Sequence, residues 1–206
     1  METTSETPLI KSAQHGDMNA FNQLILGYQG LLYRIALRVV RDECTAQDAL
    51  QEAMIHAFRH IKSFRGGNFK SWLARVTVNA SYDELRRSKR HNGIPLELFT
   101  SEGDEIESPD WMRDPAAGPE DRAEQSELQR ALQACIKALV PDYRLMIILV
   151  DIEGMSYEEA AYVASVPVGT VKSRLARARM QLRQSLQTHR NLLPSTYQMD
   201  LAPMVS

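Results

Sequence analysis

Residues 156–186, SYEEAAYVASVPVGTVKSRLARARMQLRQSL, constrain the fold more than any other stretch of the chain. Ser156 and Glu159 form an S-x-x-E capping box, which starts a short helix. Ala160, Ala161 and Ala164 keep that helix thin enough to be crossed closely. Ser165-Val166-Pro167 ends it, because proline cannot continue the hydrogen-bond ladder. A second helix is predicted from Val168 past Leu186. Val171, Leu175, Ala178, Leu182 and Leu186 recur at helical spacing and are assigned to the core. The opposite side carries Ser173, Ala176, Arg177 and Met180, flanked by Lys172, Arg174 and Arg183. No acid occurs between Glu159 and Asp200. One apolar seam with one basic face is the plan of a helix-turn-helix that reads a DNA major groove. A solvated basic helix is the bland alternative. It explains the charge but neither the capped first helix nor the short proline turn.

A chain of 206 residues holds one or two domains, and its formal charge of −2 does not by itself favour a nucleic-acid partner. The charge is unevenly spread. Residues 59–91 are basic, with only Asp83 and Glu84 opposing, and residues 172–190 are basic again. Between them, residues 97–127 hold eleven acids against Arg113 and Arg122. Two basic modules therefore flank an acidic connector. Cys44 and Cys135 are the only cysteines. They argue against a disulfide framework or a cysteine zinc site and fit a reducing compartment. No apolar run reaches transmembrane length, and the N-terminus has no signal-peptide pattern, so membrane insertion is not expected.

The predicted fold class is all-α, two small helical domains joined by a flexible acidic linker. The domains are assigned to residues 8–91 and 124–188, the linker to 92–123, and residues 189–206 form a tail of unassigned role. Helices are predicted over 8–15, about 18–40, from near Thr45 to Ile61 with Leu50, Ala53, Met54, Ala57, Phe58 and Ile61 inside, 69 to about 90 with Phe69, Trp72, Leu73, Val76 and Ala80 inside, from near Glu124 with Leu128, Leu132, Cys135 or Ile136, and Leu139 inside, and from Pro141 with Leu145, Ile148 and Leu149 inside. Thr45 is read as an N-cap and Asp48 as a first-turn acid. The fourth of these helices carries a second face, Arg75, Asn79, Tyr82 and Arg86, with Trp72 at its edge. Basic groups hold phosphates, aromatic rings stack on unpaired bases, and an Asn amide can bond a base edge. The preceding loop, SFRGGN, keeps Phe64 and Arg65 near the same face. The same helix also reads as a plain core helix with Trp72 inside and its arginines solvated.

Residues 45–90 resemble conserved region 2 of the sigma-70 family in its two-domain extracytoplasmic-function (ECF) form. The frame is D-x-x-Q-E-x-x-x-x-A-F, then F-R-G, then F-x-S-W-L-x-R-x-x-x-N-x-x-x-D-x-x-R-R. Residues 140–182 resemble region 4, most specifically in PVGTVKSRLARAR. The resemblance implies a promoter-specificity subunit of bacterial RNA polymerase, with no enzymatic activity, no cofactor and no metal. It implies that Lys172, Ser173, Ala176 and Arg177 face the bases of the minus-35 duplex while Thr170 and Arg174 hold phosphates. Where Ala176 stands, the family often carries a bulkier side chain. For the minus-10 single strand it implies a pocket of Phe64, Arg65, Gly66, Gly67, Asn68 and Asn79, with Arg75, Arg86 and Arg87 on the backbone and Trp72 and Tyr82 beside them. Asp48, Gln51, Glu52, Ile55 and Arg59 fall where the family contacts the clamp helices of the largest polymerase subunit, and region 4 would meet the flap. An anti-sigma factor is the further implied partner. The free chain is expected to be a monomer in the bacterial cytoplasm, retained at the membrane where its inhibitor resides there.

Two rival readings stand beside this one. Glu52, His56 and His60 at i, i+4, i+8 could present a metal site, but no H-E-x-x-H context or nearby Cys supports it. A stand-alone helix-turn-helix regulator would explain residues 156–186 and leave the Trp72–Arg86 face idle.

Overall fold

In the computed structural model, residues 6–92 and 119–188 are described, and among them every regular element is helical. The elements are α1 (Glu6–Gln14), α2 (Met18–Leu26), α3 (Gln29–Val40), α4 (Glu43–His60), α5 (Phe69–Asn92), α6 (Pro119–Ala138), α7 (Pro141–Met146), α8 (Tyr157–Ala164) and α9 (Val168–Gln187). They fall along the chain into α1–α5 and α6–α9. The linker read from the sequence lies almost wholly outside the described residues, as does the 189–206 tail. In space, the described residues 6–92 gather with 148–171 in one compact unit, and 119–147 with 172–188 in a second.

Carboxylate caps set the starts of the early helices. Asp17 accepts from the N–H groups of Asn19 and Ala20 and begins α2. Asp42 accepts from Thr45 N–H at 2.7 Å and from Thr45 Oγ1 at 2.6 Å and begins α4. The cap is therefore Asp42, not Thr45, and the first-turn acid is Glu43, not Asp48. The stretch expected as one helix over 18–40 is two. Gly27 is a poor helix former, and Tyr28 N–H bonds back to Ile25 O at 2.9 Å in a tightened turn. The break sends the Tyr28 ring edge-on to Phe69, 6.0 Å between centroids, and its hydroxyl to Glu6 at 2.8 Å.

The core of α1–α5 lies where α5 packs against α3 and α4. Helix α4 meets it with Ala46, Ala49, Ala53 and Ala57, each fully buried. Leu50, Met54 and Phe58, expected inside, are only half-buried. A row of methyl groups lets the helix axes approach closely, which pushes the larger side chains to the flanks. Helix α5 buries Phe69, Trp72, Leu73 and Ala80 as expected, together with Ala74 and Val78, while Val76 is half-buried.

Helix α6 starts at Pro119 rather than near Glu124. Among its described side chains Ala131 and Cys135 are buried, as is Leu139 just past its end, whereas Leu132 is 39% exposed against expectation. Ala131, Cys135 and Leu139 keep the i, i+4, i+8 spacing of one narrow stripe, so Leu132 falls beside it. Arg144 in α7 is 8% exposed and donates to the carbonyls of Ile136, Lys137 and Leu139 at the end of α6. It satisfies acceptors that the helix terminus leaves open. Leu145, Ile148 and Leu149 are buried as predicted. From Ile147 to Ile152 the chain widens into a π-turn, with Glu153 N–H reaching Ile148 O at 3.0 Å. Gly154, at φ +65°, then bends the chain toward Ser156. Among the described residues no helix is long and apolar enough to cross a membrane.

Candidate nucleic-acid interface

Helix α8 starts on the complete capping box read from the sequence. Ser156 Oγ accepts Glu159 N–H at 3.1 Å, and Glu159 Oε2 accepts Ser156 N–H at 2.7 Å. It ends at Ser165, which adopts φ +56°, with Val166 N–H closing onto Ala161 O at 3.0 Å. Pro167 O then accepts the N–H groups of Thr170 and Val171, and α9 begins. Val171, Leu175 and Ala178 are buried to within 1%. Leu182 and Leu186, expected in the same seam, are half-buried. Lys172, Ser173, Ala176 and Arg177 are exposed and Met180 is 55% exposed, so the predicted outer face exists as one surface. Thr170 and Arg174 are half-buried at its edge, and Arg174 pairs with Asp142 at 2.6 Å.

The loop before α5 departs from its expected use of residues. Ile61–Ser63 form a 3-10 turn, after which Gly66 and Gly67 take φ +96° and +93°. Nothing lies within 4 Å of a Cβ placed on either glycine. Their requirement is therefore the left-handed backbone, and the space beside them is open to a ligand. Asn68 begins α5, its Oδ1 accepting Ser71 N–H at 3.0 Å. Phe64 and Trp72 point inward, at 8% and 9% exposure, and join Phe69 in a cluster with centroids 5.3–5.6 Å apart. These rings anchor the loop rather than present stacking platforms. Gln14, unnoticed in the sequence, fixes the same loop by donating to Ile61 O at 3.1 Å and Phe64 O at 2.8 Å. A lone Gln in a helix gives no periodic signal of such a tie.

What remains outward on this side is Arg65, Asn68 and Asn79, with Arg75 and Tyr82 half-buried. Arg86 pairs with Asp83 at 2.8 Å and Arg87 with Glu84 at 2.6 Å along α5. The Arg86–Asp83 pair is exposed, and such pairs contribute roughly 0–1 kcal/mol, so a phosphate can recruit the Arg86 guanidinium at small cost. The Arg75 guanidinium lies 5.1 Å from the centroid of the Tyr162 ring.

On α4, Asp48, Gln51 and Arg59 are exposed, Ile55 is 37% exposed and Glu52 half-buried. The five positions form the outer side of the helix whose inner side is the alanine row. Between α4 and α5 is a cleft of about 340 Å³ bordered by Glu52, His56, His60, Trp72 and Asn79. His56 meets Glu52 at 3.2 Å, and its ring stacks on that of His60 at 5.7 Å. His60 Nδ1 is spent on the carbonyl of His56 at 2.9 Å. Among the described residues no group of three or more His, Cys, Asp or Glu side chains could hold a metal ion.

Comparison with known proteins gives this geometry its context. The family model described as Sigma-70 region 2 matches residues 24–91, and that described as Sigma-70, region 4 matches residues 129–182. The chain is 36% identical over 180 residues to the RNA polymerase sigma-H factor of Pseudomonas aeruginosa, covering 87% of this chain and 92% of that protein. It is 33% identical over 188 residues to the ECF RNA polymerase sigma factor SigE of Mycolicibacterium smegmatis, covering 91% and 70%. The sigma factor RpoE of Bartonella quintana, solved in complex with the anti-sigma factor NepR, superposes with a TM-score of 0.60 at 27% identity, covering 81% of this chain and 96% of that one. The chain belongs to the ECF sigma factors, non-catalytic subunits that bind core RNA polymerase and direct promoter recognition and transcription initiation.

Proposed function

We propose that the exposed face of α9 reads the minus-35 element as duplex. Lys172, Ser173, Ala176 and Arg177 meet base edges, while Thr170, Arg174 and the α9 N-terminus hold phosphates. The loop at 64–68 and the outer face of α5 receive the unpaired minus-10 strand. In that surface Asn79 and the loop backbone meet a base, and Arg65, Arg75, Arg86 and Arg87 meet phosphates. Phe64 and Trp72 act by holding the loop. The α4 surface of Asp48, Gln51, Glu52, Ile55 and Arg59 takes the clamp helices of polymerase, and the α6–α9 part takes the flap. Residues 8–91 and 124–188 are the functional domains, with 92–123 linking them. A protein inhibitor of the anti-sigma kind holds the chain inactive in the cytoplasm or at the membrane, a reading supported by the relative solved with NepR.

The observation that carries this reading is α9 itself. Its buried positions are Val171, Leu175 and Ala178, and its outer face combines small groups with Lys172 and Arg177 and no acid. A small, basic, acid-free face fits a groove walled by phosphates. The test is transcription in vitro with core polymerase on a library of genomic fragments. Specific transcripts are expected only when chain and core are both present. Tight, specific duplex binding by the free chain, with no transcription on adding core, overturns the proposal.

A further inference from the structure

Gln14 is the last residue of α1, half-buried beside Ala13, where the helix packs on the 3-10 turn of residues 61–63. Its Nε2 donates to Ile61 O at 3.1 Å and to Phe64 O at 2.8 Å. Both partners are carbonyl oxygens, so one amide spends both of its N–H bonds on the two sides of the turn. Among the described residues no other donor serves Phe64 O. The far end of α1 is tied separately, by the Tyr28 hydroxyl donating to Glu6 Oε1 at 2.8 Å.

The Phe64 carbonyl and the Arg65 N–H share one planar peptide unit, and in a trans peptide they point in opposite directions. No peptide bond among the described residues is cis. Holding Phe64 O against α1 therefore aims the Arg65 N–H away from α1. The cluster of Phe64, Phe69 and Trp72 fixes the Phe64 ring, but the next peptide plane can turn while that ring stays in place. The neighbouring carbonyls are engaged as well: Ser63 Oγ donates to His60 O at 2.7 Å, and Phe64 N–H to Ile61 O at 3.0 Å. Among the described residues the N–H groups of Arg65, Gly66 and Gly67 meet no protein acceptor. The loop thus keeps its acceptors occupied and its donors available, the polarity that an anionic strand requires.

We propose that Gln14 is a positioning residue for capture of the unpaired minus-10 strand: it sets the Phe64–Arg65 peptide plane, and with it the direction in which the loop presents its N–H groups to the strand. The proposal rests on the assignment of the 64–68 loop to that strand, and in it Gln14 touches no nucleotide. Gly66 and Gly67 carry no side chain that could correct the loop's direction, and nothing lies within 4 Å of a Cβ placed on either. The peptide before them is the point where the loop can swing, and the Gln14 amide holds it. Duplex reading by α9 uses none of these groups, so loss of the amide separates the two halves of promoter recognition.

The test uses the full chain bound to core polymerase and a promoter recovered from the genomic library. One probe carries that promoter with its minus-10 bases mispaired, so the strand is already free. A second is a full duplex with the minus-10 bases scrambled, which leaves only the minus-35 element. Gln14→Met keeps the side-chain length and removes both donors. Its control is Tyr28→Phe, which loosens the other end of α1 and keeps the ring on Phe69. Gln14→Met is expected to bind the mispaired probe about tenfold more weakly, the scale of one or two neutral hydrogen bonds. Tyr28→Phe is expected to bind it as the parent does, and both variants to bind the scrambled duplex as the parent does. In the free chain, the NMR order parameters of the Gly66 and Gly67 amides should fall in Gln14→Met and hold in Tyr28→Phe. Equal losses in the two variants make Gln14 an ordinary structural contact and overturn the proposal, as do order parameters that Gln14→Met leaves unmoved. Asn79→Ala separates the two ideas. Weaker binding of the mispaired probe by Asn79→Ala but not by Gln14→Met overturns the proposal and leaves the strand assignment standing. Binding weakened by neither overturns the strand assignment and the proposal with it.

Discussion

Replacing Arg144 by Met is expected to destabilise the α6–α9 part without touching any group proposed to meet DNA. The guanidinium serves three carbonyls, at 3.3 Å for Ile136, 3.2 Å for Lys137 and 2.5 Å for Leu139, from a side chain 8% exposed. A buried acceptor left without a donor costs roughly 1–3 kcal/mol. The lower end applies here, because these carbonyls sit at a helix terminus where water can enter. Three acceptors then give about 3 kcal/mol, and the lost charge at the α6 C-terminus adds a few tenths. Methionine keeps the aliphatic stem, so the variant isolates the hydrogen bonds from the packing. For a small domain about 3 kcal/mol corresponds to a drop of roughly 15 °C in melting temperature. Hydrogen exchange at the amides of residues 145–149 across a temperature series measures it locally. Arg144→Lys, with one compact charge instead of a fork, should recover about one of the three bonds. A methionine variant within about 1 kcal/mol of the parent, by the same exchange measurement, would refute the reasoning.

Further outcomes follow from the same geometry. Arg177→Ala should reduce discrimination at one minus-35 position by about 1–3 kcal/mol, measured by competition among promoter variants; a loss seen only with Met180 or Arg183 variants would place the helix at a different rotation. Arg174→Ala should weaken binding to all sequences and flatten the salt slope by about one unit, while Asp142→Asn should strengthen binding by releasing Arg174. Asn79→Ala should leave initial promoter binding intact and impair strand opening, seen as loss of permanganate-reactive thymines. Asp42→Ala should lower stability by about 1 kcal/mol at neutral pH. The Thr45 hydroxyl and N–H hold the Asp42 carboxyl below the ordinary value of 3.8. Its contribution is therefore complete above that value and disappears as the pH falls through the lowered folded-state value, so acid titration should bring parent and variant together.

What the sequence disclosed and what it withheld divide along a physical line. The capping box, the proline turn, the phase of α9 and the opening of α7 at Pro141 are local. They depend on residues within one or two turns, and both halves of the Ser156–Glu159 cap are present as read. The break at Gly27 is hidden because the apolar spacing of α2 continues into α3, and only the Tyr28 contacts with Glu6 and Phe69 favour the bend. Asp42 and Thr45 are both good caps, and the choice between them depends on backbone dihedrals. Phe64 and Trp72 could equally have faced outward; the three-ring cluster that turns them in is a tertiary event. Gln14, Arg144 and the ion pairs of Glu153 with Arg34 and Arg38 join residues whose partners carry no shared period.

The interleaving along α9 has a consequence for inheritance. Positions 171, 175 and 178 are buried, and positions 172, 173, 176 and 177 are exposed. The first set answers to the shape of the scaffold and the second, under the proposed reading of α9, to the promoter, with no residue in both. Ala176 is the clearest example, a methyl group on an open surface beside the fully enclosed Leu175. Exchanging it for Gln or Arg removes no packing and strains no turn, yet offers a new pair of donors to a base edge. A duplicated copy of this chain can therefore drift to a different set of genes through exposed codons alone, each intermediate remaining a folded subunit able to compete for the same polymerase.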